Sequence, residues 1–385
     1  MAFSDFPFPP STPLFPRASI VQTYLESYCS HFKLAPHIRL NTTIEDVQRC
    51  LSDWRVQTSA GEVFHFDFVI VANGHHRIPR YPDIPGLSKW LTEGRAMHSA
   101  WYRYPRYFGK SVLVVGAGPS GQDISAELRT VADSVIHSIP GTLPVNIGNL
   151  KRRNRVVKFK HDREVCFEDG TVESEVDYCI LATGYETAFP FFRSPTIQKG
   201  FPPPSPPLPC DIFDSSYHVF PLAMHIFPLQ ANFPPSSLAF MGLLVRAVQF
   251  PLLEAQAHAI ATVFSHHDSL DTTQEAINIL DRYEILRNQY GDLMSIGKNW
   301  HHFHGHEQFD YRDHLYEFAE RNADRRVVVA QWEKDMYDKK DVLRSVWNNS
   351  VHTGEADQWV NKVGEGGQEE WVELMRKMCE LELAR

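Results

Sequence analysis

The sequence predicts an α/β protein, and three observations indicate this class. A β-branched run is followed by the glycine-rich turn 116–121 and then by a helical pattern of apolar residues. Two further apolar runs, which end at Ala72 and Ala182, each pass directly into a polar residue and a glycine, as buried strands do where they leave a parallel sheet. Beyond about Asp271 the chain is polar with helical periodicity, which predicts a helical C-terminal extension.

The glycine-rich turn has the form G-x-G-x-x-G, with its glycines at Gly116, Gly118 and Gly121. Between a strand and a helix this pattern is typical of dinucleotide-binding folds. Gly116 permits the tight turn, Gly118 lets the backbone approach a pyrophosphate, and Gly121 lets the helix pack against the sheet. Pro119 and Ser120 open the helix, whose free N–H groups from Ser120 onward and positive dipole end would hold the phosphates. An ordinary glycine-rich turn is the alternative.

The other elements follow from local patterns. Apolar residues that recur every four positions predict helices, and short apolar runs bounded by Gly, Asn or Asp predict strands. An Asp-Gly pair at Asp169 and Gly170 predicts the turn of a hairpin. Along the chain we expect a helix at 20–32, strands at 38–40, 67–72 and 134–138, the hairpin at 165–172, strands at 176–182 and 237–242, and a helix from Pro251 to Phe264.

The motif of an apolar strand followed by Ala-x-Gly occurs twice, at residues 72–74 and 182–184. Two such crossovers predict two dinucleotide-binding, Rossmann-like domains.

Composition excludes several classes of function. The net charge of −9 gives no reason to expect a nucleic-acid partner. No apolar run reaches the length of a membrane span, and the first residues lack the pattern of a signal peptide, so we expect a cytoplasmic protein. Six cysteines without a C-x-x-C pair argue against a dithiol reductase. We assign no metal site, because a solvated or aromatic-packed loop explains the histidines at 301–306 as well as metal binding does.

The residues after the strand at 134–138 bear on the choice of nucleotide. No Asp or Glu follows this strand, where an NAD-selective site places a carboxylate on the ribose. Its absence favours NADP. Lys151, Arg152 and Arg153 are the cations best placed in sequence to meet a 2′-phosphate, and a solvated basic loop is the alternative.

Six ordered elements resemble the flavin-containing monooxygenases. They are DFPFP, DFVIVANGHHRIPRYPDIPG, GRAMHSAWY, GKSVLVVGAGPSG, DYCILATGYETAFPFF, and LAFMGL with PLLEAQA, and together they cover residues 3–264. The family signature F-x-G-x-x-x-H-x-x-x-Y is matched at Gly94, His98 and Tyr102, with Thr92 in place of Phe. The resemblance implies FAD and NADP as cofactors and the use of NADPH and O₂ to oxygenate a soft nitrogen or sulfur nucleophile of a small molecule. It demands no catalytic side chain, and we predict none.

The resemblance also implies roles for single residues. His98 is expected to be a structural link near bound NADP. Thr183, Gly184 and Tyr185 are expected to form the crossover beneath the cofactors, with ordinary packing as the alternative. Peripheral FAD contacts are expected from the region of Val47, from Gly74 and from Gly242.

Family members begin with a βαβ unit that carries a further G-x-G-x-x-G for FAD, and they have an Asn shortly before DFPFP. Neither is present in this sequence. The resemblance therefore implies an incomplete FAD-binding domain at 1–95, an NADP-binding domain inserted in it at 96–205, a return segment of the FAD-binding domain at 206–270 and the helical C-terminal extension at 271–385. We expect this chain alone to retain no FAD. Two functions stay open at this point. One is a flavin-dependent monooxygenase, and the other is an NADP(H)-binding protein without oxygenase activity.

Overall fold

The computed structural model describes residues 2–320 and 328–383, and these residues fall into two compact units. The second unit, Gly74–Ala188, is one continuous stretch; the first combines the residues before and after it. The predicted inserted domain, 96–205, starts and ends later than this second unit. Of the predicted helical extension, residues 321–327 and 384–385 lie outside the described part.

Eleven α-helices lie in the described ranges. Two of them, α2 and α3, belong to the second unit, and most of the others lie beyond residue 248, as the polar helical periodicity predicts. They are α1 (Ala18–His31), α2 (Leu87–Thr92), α3 (Pro119–Leu128), α4 (Gln249–Ser265), α5 (Thr272–Tyr290), α6 (Leu293–Trp300), α7 (Glu307–Ala319), α8 (Gln331–Asp338), α9 (Lys340–Thr353), α10 (Ala356–Val360) and α11 (Gln368–Leu383).

The strands are short, and many occur in pairs or triplets. They are β1 (Ile44–Arg49), β2 (Trp54–Thr58), β3 (Val63–Phe66), β4 (Val69–Val71), β5 (Ile78–Pro79), β6 (Ala96–His98), β7 (Ser111–Val115), β8 (Ser134–Ser138), β9 (Val145–Ile147), β10 (Leu150–Arg153), β11 (Val156–Phe159), β12 (Val165–Phe167), β13 (Val172–Glu173), β14 (Tyr178–Leu181), β15 (Tyr185–Glu186), β16 (Gln198–Lys199), β17 (Phe213–Asp214), β18 (Val219–Phe220), β19 (Leu222–Ala223), β20 (Phe227–Pro228) and β21 (Leu238–Phe240).

The second unit is built on a six-stranded sheet with the order β6-β14-β7-β8-β10-β9. Its first five strands are parallel, and β9 joins one edge antiparallel to β10. Ile124 and Leu128 of α3 pack on one face with Val114, and Leu113 belongs to the cluster on the other face. Strands buried on both faces read as continuous apolar runs, which is why the sequence shows them clearly.

A three-stranded antiparallel sheet, β11-β12-β13, completes the second unit. Gly170 adopts φ +83° in the Asp-Gly turn between β12 and β13, so the predicted hairpin is present. Glu173 at its end accepts from Lys151 at 2.7 Å and from Arg153 Nε at 2.7 Å. Lys151, Arg152 and Arg153, for which a solvated basic loop was the alternative, therefore lie on strand β10, and Lys151 and Arg153 are ion-paired.

The first unit contains the meander β1-β2-β3 and a parallel pair, β4-β21. Two large apolar clusters lie in this unit, one around the buried Phe240 and one around Leu252 of α4. A separate cluster around Trp347 and Met378 holds the last helices together. The α/β class and the helical C-terminal region are thus as predicted.

The predicted strand at 38–40 is wrong. Ile38 and Leu40 are 50% and 78% exposed, and Asn41 has a left-handed φ of +54° that leads the chain towards β1. An apolar pair without a neighbouring strand or a core cannot form a stable strand.

Two further findings concern metal binding and membrane-spanning helices. No three His, Cys, Asp or Glu side chains of residues 2–320 and 328–383 lie where they could hold a metal ion. His301 and Phe303 of the histidine cluster are buried, so the loop is packed. None of the helices within the described ranges combines the length and the apolar composition that a bilayer span requires.

Burial of His218 makes folding stability dependent on pH. Its Nδ1 lies 2.6 Å from the Ser215 hydroxyl, and burial lowers its pKa from 6.5 to about 3. Between these values the unfolded chain binds a proton that the folded chain does not, so stability falls as pH falls below 6.5. We expect His218→Gln to reduce the loss of unfolding free energy between pH 7.5 and 5.5 by about 1 kcal/mol, as measured by urea denaturation.

The exposed His352 provides the control for this experiment. His352→Gln should leave the wild-type difference between the two pH values intact. An unchanged difference in His218→Gln would contradict the assignment.

Candidate functional site

The turn between β7 and α3 forms the centre of the candidate site. Gly116 follows β7 with φ +133°, and its N–H donates to the carbonyl of Ser138 at the end of β8 at 3.1 Å. Gly118 is the N-cap of α3 with extended backbone, and Pro119 is the first helical residue. The strand, the turn and the helix thus have the arrangement that the glycine pattern predicts.

Packing within the protein requires two of the three glycines but not the third. A Cβ on Gly116 would overlap the carbonyl of Ala182, and a Cβ on Gly121 would overlap the carbonyl of Gly116. Around Gly118, nothing in the described part of the chain lies within 4 Å of the position of a Cβ. The space beside Gly118 is therefore open, as a site for a closely approaching phosphate must be.

The N-terminus of α3 offers donors to this space. The first bond within the helical turn runs from Gln122 N–H to the Gly118 carbonyl at 3.1 Å. Pro119 has no N–H, so Ser120 and Gly121 carry the first free amide groups of the helix. No acidic residue lies in the first turn of α3. The positive end of the helix dipole is therefore not neutralised by the chain, which favours an anion.

His137 fixes this turn, and it was not identified from the sequence. It lies on β8, is 3% exposed, and its Nε2 is 2.8 Å from the Gly116 carbonyl. Because a carbonyl only accepts, the ring donates from Nε2. Burial lowers the pKa of His137, with a smaller contribution from Arg152, so the ring is neutral. A histidine within an apolar strand that follows a glycine-rich turn is the only signal that could have suggested this role.

The three cations that were considered for a 2′-phosphate differ in their ion-pair partners. Lys151 and Arg153 are held by Glu173, whereas the Arg152 side chain has no carboxylate partner among the described residues and is exposed. Arg152 is in parallel register with His137 on the neighbouring strand. Side chains in register on parallel strands point to the same face, so Arg152 extends from the face that His137 shares with α3.

His98 ends β6 and is fully buried. Its Nδ1 accepts from Ala100 N–H at 3.0 Å, and its ring lies against the rings of Tyr81 and Tyr185 with centroids 5.7 and 5.2 Å away. Burial lowers its pKa, and the nearby Gly184 carbonyl opposes this shift without completing a hydrogen bond to Nε2. A neutral, enclosed imidazole is suited to holding chain segments together and not to carrying a proton to solvent.

Thr183, Gly184 and Tyr185 form the exit from β14. The Thr183 hydroxyl donates to the carbonyl of Arg80 at 2.6 Å, and the Gly184 carbonyl accepts from Arg80 N–H at 3.0 Å. Tyr185 begins β15, which pairs antiparallel with β5. Gly74, at the other predicted crossover, has φ +73° and no atom of the described chain within 4 Å of a Cβ position. Both exits are thus irregular backbone of the kind that approaches ligands closely.

The two remaining FAD candidates lie in the first unit. The side chain of Val47 is buried in an apolar cluster, and its N–H donates to the Phe191 carbonyl at 2.8 Å. Both groups are therefore engaged within the protein, which gives no support to a contact between Val47 and FAD. Gly242 has φ +76°, and its N–H donates to the Gln256 side chain at 2.9 Å. The FAD contacts of Val47, Gly74 and Gly242 remain predictions.

Comparison with known proteins identifies relatives along most of the chain. The profile of the family described as flavin-binding monooxygenase-like matches residues 1–145 and 139–320. The flavin-containing monooxygenase FMO GS-OX-like 8 of Arabidopsis thaliana is 33% identical over 323 residues, which are 76% of this chain and 64% of that protein. The thiol-specific monooxygenase of Saccharomyces cerevisiae is 36% identical over 205 residues, which are 50% of this chain and 47% of that protein.

This chain is also similar to a solved structure. The S-allyl-L-cysteine S-oxygenase from Allium sativum superimposes with a TM-score of 0.73 at 26% sequence identity, and the match covers 99% of this chain and 81% of that chain. This chain spans about two thirds or less of the length of the two relatives from Arabidopsis and yeast.

The glycines of the turn generate a prediction with an internal control. We expect Gly118→Val to weaken NADPH binding at least about tenfold, because its Cβ occupies the open space beside the helix N-terminus. Its folding stability should fall by no more than about 1 kcal/mol, the range of an N-cap change. Calorimetric titration and thermal unfolding measure the two effects.

Gly116→Ala is the matched variant, since its Cβ overlaps Ala182 whether or not nucleotide is bound. It should lower the unfolding temperature clearly in the absence of nucleotide. A folded Gly118→Val protein that binds NADPH with wild-type affinity would exclude this turn as the site.

Proposed function

Because the chain belongs to the flavin-binding monooxygenase-like family, we propose that it functions in the NADPH- and O₂-dependent oxygenation of a soft sulfur or nitrogen atom of a small molecule. The observation that carries the proposal is the open space at Gly118, which no packing of the described chain requires and which faces the free N–H groups of α3. The family uses FAD and NADPH, and this turn has the shape and charge that a nucleotide pyrophosphate needs.

The residues of this chain would contribute binding and orientation. FAD supplies the redox chemistry when it is bound, so no acid, base or nucleophile of the protein is required. The N–H groups of Ser120 and Gly121 would hold the pyrophosphate of NADPH, and His137 would keep the Gly116 carbonyl turned away from it. His98 would stabilise the exit of β14 through its contacts with Tyr185.

We place sulfur before nitrogen as the oxygenated atom. Two of the relatives carry names that specify sulfur chemistry, a thiol-specific monooxygenase and an S-oxygenase. The net charge of −9 gives no support for a nucleic-acid substrate. The candidate partner is therefore a small organic thiol or thioether.

We assign the protein to the cytoplasm. All six cysteines are free, and two of them, Cys50 and Cys210, are exposed. Unpaired exposed thiols are typical of reducing compartments.

The proposed reaction can be tested on the purified chain supplied with FAD, NADPH and a thioether. The proposal predicts that flavin is retained through gel filtration and that sulfoxide forms in an amount that matches the NADPH consumed, as measured by mass spectrometry. This is the opposite of the expectation from the sequence that this chain alone retains no FAD. NADPH binding without sulfoxide or retained flavin would support the alternative, an NADP(H)-binding protein without oxygenase activity. Absence of both binding and turnover would contradict the proposal in either form.

Arg152 generates a prediction about nucleotide selectivity. Its guanidinium has no carboxylate partner in the described part of the chain and extends beside His137, so we propose that it contacts the 2′-phosphate. Charge-assisted bonds are worth about 1.5–3 kcal/mol, so Arg152→Gln should weaken NADPH binding by roughly ten- to a hundredfold and leave NADH binding unchanged. Calorimetry with both nucleotides measures the ratio.

Arg155 is an exposed arginine just beyond β10 and serves as the control. Arg155→Gln should bind both nucleotides like the wild type. An Arg152→Gln protein with an unchanged ratio of NADPH to NADH affinity would rule out this role of Arg152. It would not test whether the glycine-rich turn binds the nucleotide.

A further inference from the structure

A small cavity lies in the first unit, where the turn between β19 and β20 meets α5, α6 and α7. Its volume is about 170 Å³, and its walls include Leu222, Glu275, Ile279, Trp300, Tyr311 and His314. The glycine-rich turn contributes no residue to it. The cavity therefore needs an explanation of its own.

Glu275 is the residue that points to a ligand. Its side chain lines the cavity and the residue is only 6% exposed. Its carboxylate accepts from Met224 N–H at 3.1 Å and from the Asn278 amide at 3.0 Å, yet no Lys, Arg or His of residues 2–320 and 328–383 lies within ion-pair distance of it. A buried carboxylate without a cation is costly, so an external cation would be favoured there.

Among the described residues, the charged groups around Glu275 do not supply an ion-pair partner for it. Burial raises its pKa and Asp271 adds to the rise, while the Met224 N–H, the exposed His314 and Asn278 oppose it. Arg282, two helical turns further along α5, also lines the cavity, but it is engaged elsewhere. Its Nε and Nη2 donate to the Trp300 carbonyl, Nη2 also donates to the His302 carbonyl, and Nη1 lies 3.6 Å from Glu307.

The turn beside Glu275 is held in an unfavourable conformation. Met224 and His225 are consecutive residues with φ of +49° and +57°, a left-handed region that is unfavourable for a residue with a side chain. The Tyr311 hydroxyl donates to the Met224 carbonyl at 2.6 Å, so both the N–H and the carbonyl of Met224 are fixed by cavity residues. Paired left-handed residues of this kind occur where a site needs its backbone in one place.

Two histidines fix the proton positions on one wall. His301 Nε2 accepts from Val219 N–H at 3.2 Å, and His225 Nδ1 lies 3.0 Å from His301 Nδ1. Because Nε2 of His301 accepts a hydrogen bond, the ring proton of His301 is on Nδ1. This Nδ1–H group donates to Nδ1 of His225, so the ring proton of His225 is on Nε2. Burial, with Arg282, holds the pKa of His225 well below 6.5, so this wall adds no charge to compete with a cation.

We propose that this cavity binds a small primary ammonium ion, a protonated alkylamine, with its N–H groups on the Glu275 carboxylate and its alkyl part against Trp300, Tyr311 and Ile279. A carboxylate supplies the counter-charge, and aromatic faces attract cations. The volume suits an ion of a few heavy atoms and excludes a nucleotide. Because no residue of the glycine-rich turn lines the cavity, this proposal is independent of the proposed oxygenase function.

The probes are methylammonium and ethylammonium chloride, with potassium chloride at the same ionic strength as the reference. Added to the full chain, the two ammonium salts should raise the unfolding temperature in a saturable way, and calorimetry should give one site. Glu275→Gln keeps an acceptor oxygen for Met224 N–H and removes the charge, so it should weaken binding at least about tenfold. Asp281→Asn, an exposed change on the same helix, should bind like the wild type.

Four results would overturn the proposal. They are no saturable effect in the wild type, an equal effect of potassium chloride, wild-type affinity in Glu275→Gln, and binding of tetramethylammonium as tight as that of methylammonium. The first two use only the wild-type protein, so they remain decisive if Glu275→Gln does not fold. Tetramethylammonium, which has no N–H and is bulkier, should bind much more weakly than methylammonium.

Discussion

The close approach of three backbone segments at Gly116 is the constraint on which the second unit depends. Its N–H is held by the end of β8, its carbonyl by His137, and its missing side chain leaves room for the Ala182 carbonyl at the end of β14. The order β14-β7-β8 places these three strand ends side by side. One glycine thus fixes where the strands stop, where α3 starts and in which direction its free N–H groups point.

The ends of parallel strands provide a binding edge because their side chains and loops meet there without belonging to neighbouring parts of the sequence. Arg152 comes to this edge because β10 is parallel to β8. Glu173 then determines which basic residues of β10 are free, since it pairs with Lys151 and Arg153. The hairpin that carries Glu173 therefore shapes the charge at this edge of the sheet, although it is no part of the glycine-rich turn.

The parts predicted from sequence are those governed by local rules. The strand, the glycines and Pro119 at the first helical position are adjacent in the chain, and each has a local physical reason. The strand predicted at 38–40 failed because burial, and not propensity, decides whether a short apolar run pairs. The pairing of Arg153 with Glu173, 20 residues away, and of His225 with His301, 76 residues away, depends on the tertiary fold, and no spacing in the sequence signals it.

Buried, neutral histidines occur in both units. His98, His137, His218 and His225 are buried, and burial lowers the pKa of each. A neutral imidazole can donate from one nitrogen and accept at the other, so it joins two polar groups without the cost of a buried charge. Lysine at the position of His137 would bring a charge into the sheet, and asparagine would not reach as far. Arg152 and Glu275, by contrast, are charged and have no ion-pair partner in the described part of the chain, so they are the groups for which we propose that a ligand supplies the counter-charge.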